Sequence, residues 1–216
     1  MPTHRKRSGL AGTGTVNLAG SALTCPCHVC AFYNSTDELH EVLLPFLKEG
    51  LEAGDRVVTI VNPGDQADQA HRLTRCGVDV PAAQRNGQLD IETWDNAYLR
   101  GGRFDLEEMV GFVQESITTG QQRGFARTRG WANMDWALTG APGVERLALY
   151  ESRINFILPL HNDASVCAYD VARFPASVLE DVARAHPYLL ADGFVQPNPH
   201  YVPPETLVPE YEKKLS

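Results

Sequence analysis

Short apolar runs alternate with amphipathic stretches along most of the chain. Residues 28–33 form an apolar, partly aromatic run of strand length. Ser35 follows it with Glu38 three residues on, a capping box that opens a helix. The stripe of that helix is Leu39, Val42, Leu43, Phe46 and Leu47, and Gly54 ends it. Pro45 lies inside the stripe and predicts a kink or a broken turn. Residues 56–61 are a nearly continuous β-branched run, the mark of a strand covered on both faces. A short helix over 68–76 is stopped by Gly77, and residues 88–94 read as the next strand. Asp105 and Glu108 cap a helix striped by Leu106, Met109, Val110, Val113 and Ile117. Residues 126–134 and 165–169 read as strands, with a helix from Pro142 to about Phe156 between them. Pro175 starts a last helix that ends near His186-Pro187. Five prolines beyond Asp192 predict an extended surface tail.

Five strand–helix repeats imply a three-layer α/β fold, a mainly parallel central sheet with helices on both faces. Open sheets of this class bind ligands outside the carboxyl ends of their strands. That rule nominates Tyr33, Asn34, Asn62, Thr93, Trp94, the segment 133–136, Tyr169 and Asp170, about half of which are expected to be ordinary loop-start residues.

The 216 residues carry 27 acidic and 19 basic side chains, a net charge of −8, so no basic face for nucleic acid is expected. No apolar run reaches the roughly 18 residues of a membrane span, so no membrane partner is expected either. Residues 1–23 open with His4-Arg5-Lys6-Arg7 but continue in Gly, Ser and Thr rather than in the apolar core of a secretion signal. They read as a disordered arm before a domain at 24–205 and a tail at 206–216, in a cytoplasmic protein. Five cysteines, three of them within six residues, do not make a secreted disulfide framework.

The densest chemical feature is Cys25, Cys27, His28 and Cys30. Cys27-x-x-Cys30 has the spacing of a zinc half-site, but no second half follows, although Cys76 or Cys167 could add a distant ligand. A thiol redox pair would sit at a helix N-terminus, whereas this one precedes the helix. Haem ligation by Cys or His is a third reading. In the plainest reading Cys30 and Cys167 are small buried strand residues, and Cys25 and Cys27 belong to the arm.

The turn over 32–38 has neither the glycines nor the lysine of a phosphate loop, and Asp37 and Glu38 occupy the positive helix end where phosphate would bind. No ATP is therefore expected. Trp94, Trp131, Met134 and Trp136 fall near strand ends, as walls of an apolar pocket or as core. Glu151 and Asn155 share a helix face one turn apart and offer polar contacts. His40 and His71 read as surface residues of helices.

Several segments in order resemble the MEDS family, sensory domains of methanogen and methylotroph regulators. They are His28-Val29-Cys30-Ala31-Phe32-Tyr33, the stretch from Phe46 to Gly54, Trp136-Ala137-Leu138, Tyr150-Glu151 with Asn155, Val166-Cys167-Ala168-Tyr169-Asp170, His186-Pro187, and the tail from Asn198 to Pro204. Family members often have Gly-Glu-Met before the Trp-Ala-Leu segment, where this chain has Ala132-Asn133-Met134. The resemblance implies a RecA/KaiC-like fold that has lost its phosphate loop. It also implies a non-enzymatic sensor of a small molecule, such as a hydrocarbon derivative. The output would pass to a separate histidine kinase or transcription regulator, with a homodimer left open.

On these readings the ligand site draws on His28, Cys30, Tyr33, Asn34, Trp94, Met134, Trp136, Glu151, Cys167 and Asp170. The alternative is a redox sensor holding zinc or haem on Cys25, Cys27, His28 and Cys30.

Overall fold

The computed structural model describes residues 14–215. The chain begins with a hairpin, β1 (Thr15–Leu18) and β2 (Ser21–Thr24), then β3 (Cys27–Tyr33) and α1 (Thr36–Glu52). β4 (Arg56–Val61), α2 (Gln66–Arg75), α3 (Val80–Arg85), β5 (Leu89–Thr93) and the one-turn α4 (Trp94–Ala97) follow. Next come α5 (Leu106–Gln122), β6 (Thr128–Asn133), α6 (Leu147–Ile157) and β7 (Ala164–Asp170). α7 (Ala176–Arg184), β8 (Tyr188–Ala191), β9 (Phe194–Pro197) and α8 (Pro204–Leu215) complete it.

Seven strands make one sheet in the order β5-β4-β6-β7-β3-β8-β9. All neighbours are parallel except β8 and β9, which form an antiparallel edge. Side chains alternate across each strand, so each strand feeds two cores. Val29, Ala31, Val57, Trp131, Val166 and Ala168 pack under β1, β2, α1, α2 and α3. Cys30, Ile60, Ala132, Cys167 and Tyr169 pack under α5, α6, α7 and α8. This is the expected three-layer, mainly parallel arrangement.

Four expectations change. Of the arm, residues 1–13 lie outside the described residues, while 15–24 form a hairpin whose Val16, Leu18 and Leu23 are buried against α1. The alternation of Thr15-Val16-Asn17-Leu18 carries that strand signal, and its Gly- and Ser-rich surroundings hid it. The tail is extended only as far as Pro203, with 194–197 as an edge strand; 204–215 is a helix that buries Leu207 and Tyr211, with Pro204 opening it. α1 runs unbroken through Pro45, which lies on the exposed side where the carbonyl it frees can meet water. Pro142 lies in a loop, and the helix starts five residues later at Leu147.

Candidate functional site

The turn from β3 into α1 is closed by its own side chains. The Glu38 amide donates to Ser35 Oγ at 3.2 Å, and the Asn34 amide donates back to Glu38 Oε2 at 2.9 Å. Ser35 thus caps the helix, Glu38 reaches back to the amide one residue before the cap, and its carboxylate occupies the helix end at which phosphate-binding loops hold an anion.

A polar cleft lies at the carboxyl ends of β3, β4, β6 and β7, roofed by the starts of α1 and α2. Tyr33, His40, Asn62, Gln69, Trp131, Asn133, Asp135, Asp170 and Arg173 line it. His40 Nδ1, Gln69 Nε2, Trp131 Nε1 and Asp135 Oδ1 are buried there without a well-formed hydrogen bond inside the protein. His40 stands edge-on to Trp131, with ring centroids 5.5 Å apart. The other oxygen of Asp135 pairs with Arg173. Burial, followed by the charges of Asp135 and Asp170, holds the Tyr33 phenol above its ordinary range, so it stays a hydroxyl.

A second cluster lies inside the opposite layer. β3 and β7 pair with Cys30 beside Cys167 and His28 beside Ser165. His28 and Cys167 both face α6, where Glu151 is fully buried, and His186 enters from the end of α7. Glu151 Oε2 lies 3.4 Å from His28 Nε2, 3.5 Å from His186 Nε2 and 3.4 Å from Cys167 Sγ. Cys167 Sγ is 3.5 Å from His28 Nε2. The Tyr169 hydroxyl donates to Glu151 Oε1.

Burial opposes the charge on Glu151. Where the imidazoles carry the cluster's protons, they and the Tyr169 hydroxyl outweigh it and hold the carboxyl below its usual range. Burial also pushes the Cys167 thiol well up and the His186 imidazole down to about 3. One imidazole, one carboxylate and one thiol of metal-ligating kind thus meet a second imidazole in a dry space.

The structure disperses the sequence candidates over the cleft, the buried cluster, the core and the helix cap. Tyr33 and Asp170 line the cleft. His28, Glu151 and Cys167 join the buried cluster, with Cys30 beside Cys167 but outside the convergent set. Met134 and Trp136 are core, Trp136 being stacked on Tyr98 and Phe104 at 4.7 and 4.6 Å. Trp94 donates to Asn62 Oδ1, and Asn34 is exposed in the cap.

Cys25, Cys27, His28 and Cys30 do not converge. Cys25 and Cys27 are buried under the α1 face with their sulfurs 3.9 Å apart, while His28 and Cys30 point to the other layer. All five cysteines are free thiols. His40 is buried rather than exposed, whereas His71 is on the surface. His186, Gln69 and Arg173 are site residues that the sequence patterns do not single out, whereas Asp135 falls in the nominated segment 133–136. Of those three, only His186 had left a signal, in the His186-Pro187 segment of the resemblance.

The sequence profile described as MEthanogen/methylotroph, DcmR Sensory domain matches residues 27–187. The transcriptional repressor DcmR of Methylorubrum extorquens is 25% identical over 173 residues, which cover 78% of this chain. The chain spans 61% of that relative's length. A KaiC-like protein of Pyrococcus horikoshii OT3 superposes with a TM-score of 0.55 at 11% identity, over 76% of this chain and 69% of that one. An uncharacterised protein of Pyrococcus horikoshii, solved with an unknown peptide, gives 0.59 at 15% identity, over 78% and 80%. These likenesses establish a RecA/KaiC-like α/β fold.

Proposed function

This chain belongs to the MEDS family of sensory domains, and from that we propose that it binds a small polar molecule in the cleft at the strand ends and signals to a regulatory partner. One observation carries the reading. Trp131 Nε1 and Asp135 Oδ1 lack partners around a single cleft, beside His40 and Gln69, which make only weak contacts with each other and with the Thr36 backbone. Buried polar groups left unpaired cost about 1–3 kcal/mol each, so a ligand that pairs them gains that much per contact. Trp131 Nε1 and Gln69 Nε2 offer donors and Asp135 Oδ1 an acceptor. The ligand chemistry is that of a small oxygenated or amine-bearing carbon compound, a polar derivative of a hydrocarbon.

Binding rather than turnover is the proposed activity. The cleft joins the ends of four strands to the first turns of α1 and α2, so a ligand there bridges sheet and helices. It can signal only by favouring one of two arrangements of those elements. The proposed recipient is a transcription regulator or histidine kinase, because the curated relative is a transcriptional repressor.

A thermal-shift panel of short alcohols, aldehydes, carboxylates and amines tests this. A ligand present at 100 times its Kd should stabilise the chain by about 2.7 kcal/mol. The shift should vanish in Gln69→Leu and Trp131→Phe, which remove one donor each. Hits that stabilise both variants as well as the parent would overturn the assignment to this cleft.

A further inference from the structure

We propose that His28, Glu151, Cys167 and His186 form a structural zinc centre in the layer beneath α6 and α7. The donor atoms of these four residues all lie within 4.8 Å of one another, and all four are buried. Around tetrahedral zinc, with Zn–N and Zn–O of about 2.0–2.1 Å and Zn–S of about 2.3 Å, ligand atoms stand roughly 3.3–3.6 Å apart. The four separations around Glu151 Oε2 and Cys167 Sγ, between 3.4 and 3.5 Å, match four of the six edges of such a tetrahedron, and the two from His186 to His28 and to Cys167 are within 4.8 Å.

The outer hydrogen bonds fix what each ring presents inward. His186 Nδ1 lies 2.8 Å from the Val182 carbonyl, which can only accept, so Nδ1 carries the proton. The neutral ring then turns a bare Nε2 to the cluster, and that atom has no hydrogen-bond partner. Asn155 sets His28 in the same way. Its Nδ2 donates to the carbonyls of Glu151 and Ala185, which leaves Oδ1 to accept from His28 Nδ1 at 3.2 Å. Tyr169 holds Oε1 of Glu151 and leaves Oε2 facing the other three.

With both rings in these tautomers, one thiol proton serves three inward lone pairs. A divalent cation satisfies all of them and replaces that proton, which leaves to solvent as the thiolate forms. Carbonyl, amide and phenol partners behind the ligands are the outer shell that metal-binding imidazoles and carboxylates have. β3, α6, β7 and the end of α7 would be tied at one point. The inference does not rest on the ligand reading, because the cleft lies on the other side of the sheet.

The full chain, purified without chelator, should contain about one zinc per molecule by elemental analysis. Stripped protein titrated with cobalt(II) should develop the visible bands of a tetrahedral site and a thiolate charge-transfer band. Cys167→Ser should lose the charge-transfer band, and Asn155→Ala should weaken binding about 10- to 100-fold. Cys25→Ser and Cys27→Ser should keep both metal and spectrum. The parent's cobalt spectrum needs no variant, so an unfolded mutant cannot hide the answer. A parent that takes up neither metal, a thiolate band that survives Cys167→Ser, or a haem Soret band would overturn the proposal. Gln69→Leu and Trp131→Phe should bind metal like the parent, which keeps this result separate from the fate of the cleft.

Discussion

Arg129 shows how one residue joins distant parts of the sequence. It is buried on β6, donating from Nε to Asp55 at 2.8 Å and from Nη1 to the Phe46 carbonyl at 3.0 Å, with its guanidinium over the Phe46 ring. Gly50 makes room for it, since a Cβ there would meet Arg129 Cδ at 2.6 Å. Arg129→Ala should cost about 3 kcal/mol in denaturant unfolding, because it leaves the buried Asp55 with only the longer contact to Arg127 at 3.7 Å. Arg153→Ala, which breaks a more exposed pair with Glu107, should change stability by only about 0–1 kcal/mol. Equal costs would mean that the buried network adds nothing. At this scale the sequence was partly legible. Alternation alone places His28 and Cys30 on one strand face, but nothing local reveals that His186, more than 150 positions later, completes the cluster around His28. His40 looked like a surface residue because one helical histidine carries no sign of the Trp131 ring that covers it.

Elements with strong local chemistry were the most legible. The Ser35–Glu38 box, the β-branched run of β4 and the stripe of α5 each form where their pattern predicts. Ser35→Ala should cost about 1 kcal/mol, read as a lower urea midpoint with an unchanged slope. The hairpin and α8 were hidden because tertiary contacts make them. β1 gains order from the α1 face it covers, and α8 from Leu207 and Tyr211 set against the α6–α7 layer. Leu207→Ala should therefore cost about 2–5 kcal/mol, whereas an extended surface tail would lose almost nothing. α8 packs on α6, the helix that carries Glu151 and Asn155, so the same variant should also loosen zinc binding.

The whole molecule divides its chemistry between the two sides of its sheet. The polar cleft opens on the α1–α2 side at the strand ends, and the buried four-residue cluster lies on the α6–α7 side. The layer order was legible because strand–helix alternation permits few topologies. The strand order was not, and strand order is what brings β3 beside β7 and β4 beside β6. Among the described residues no helix is long and apolar enough to cross a membrane.

The central claim is that a small molecule pairs the orphaned polar atoms of the cleft. The most direct measurement is a proton–nitrogen NMR spectrum of the three tryptophan indoles while a stabilising ligand is added. Trp131→Phe assigns the critical signal. The Trp131 indole N–H should move downfield as it gains an acceptor, while that of Trp136, stacked in the core, stays in place. Saturable binding that leaves the Trp131 signal unmoved would contradict it.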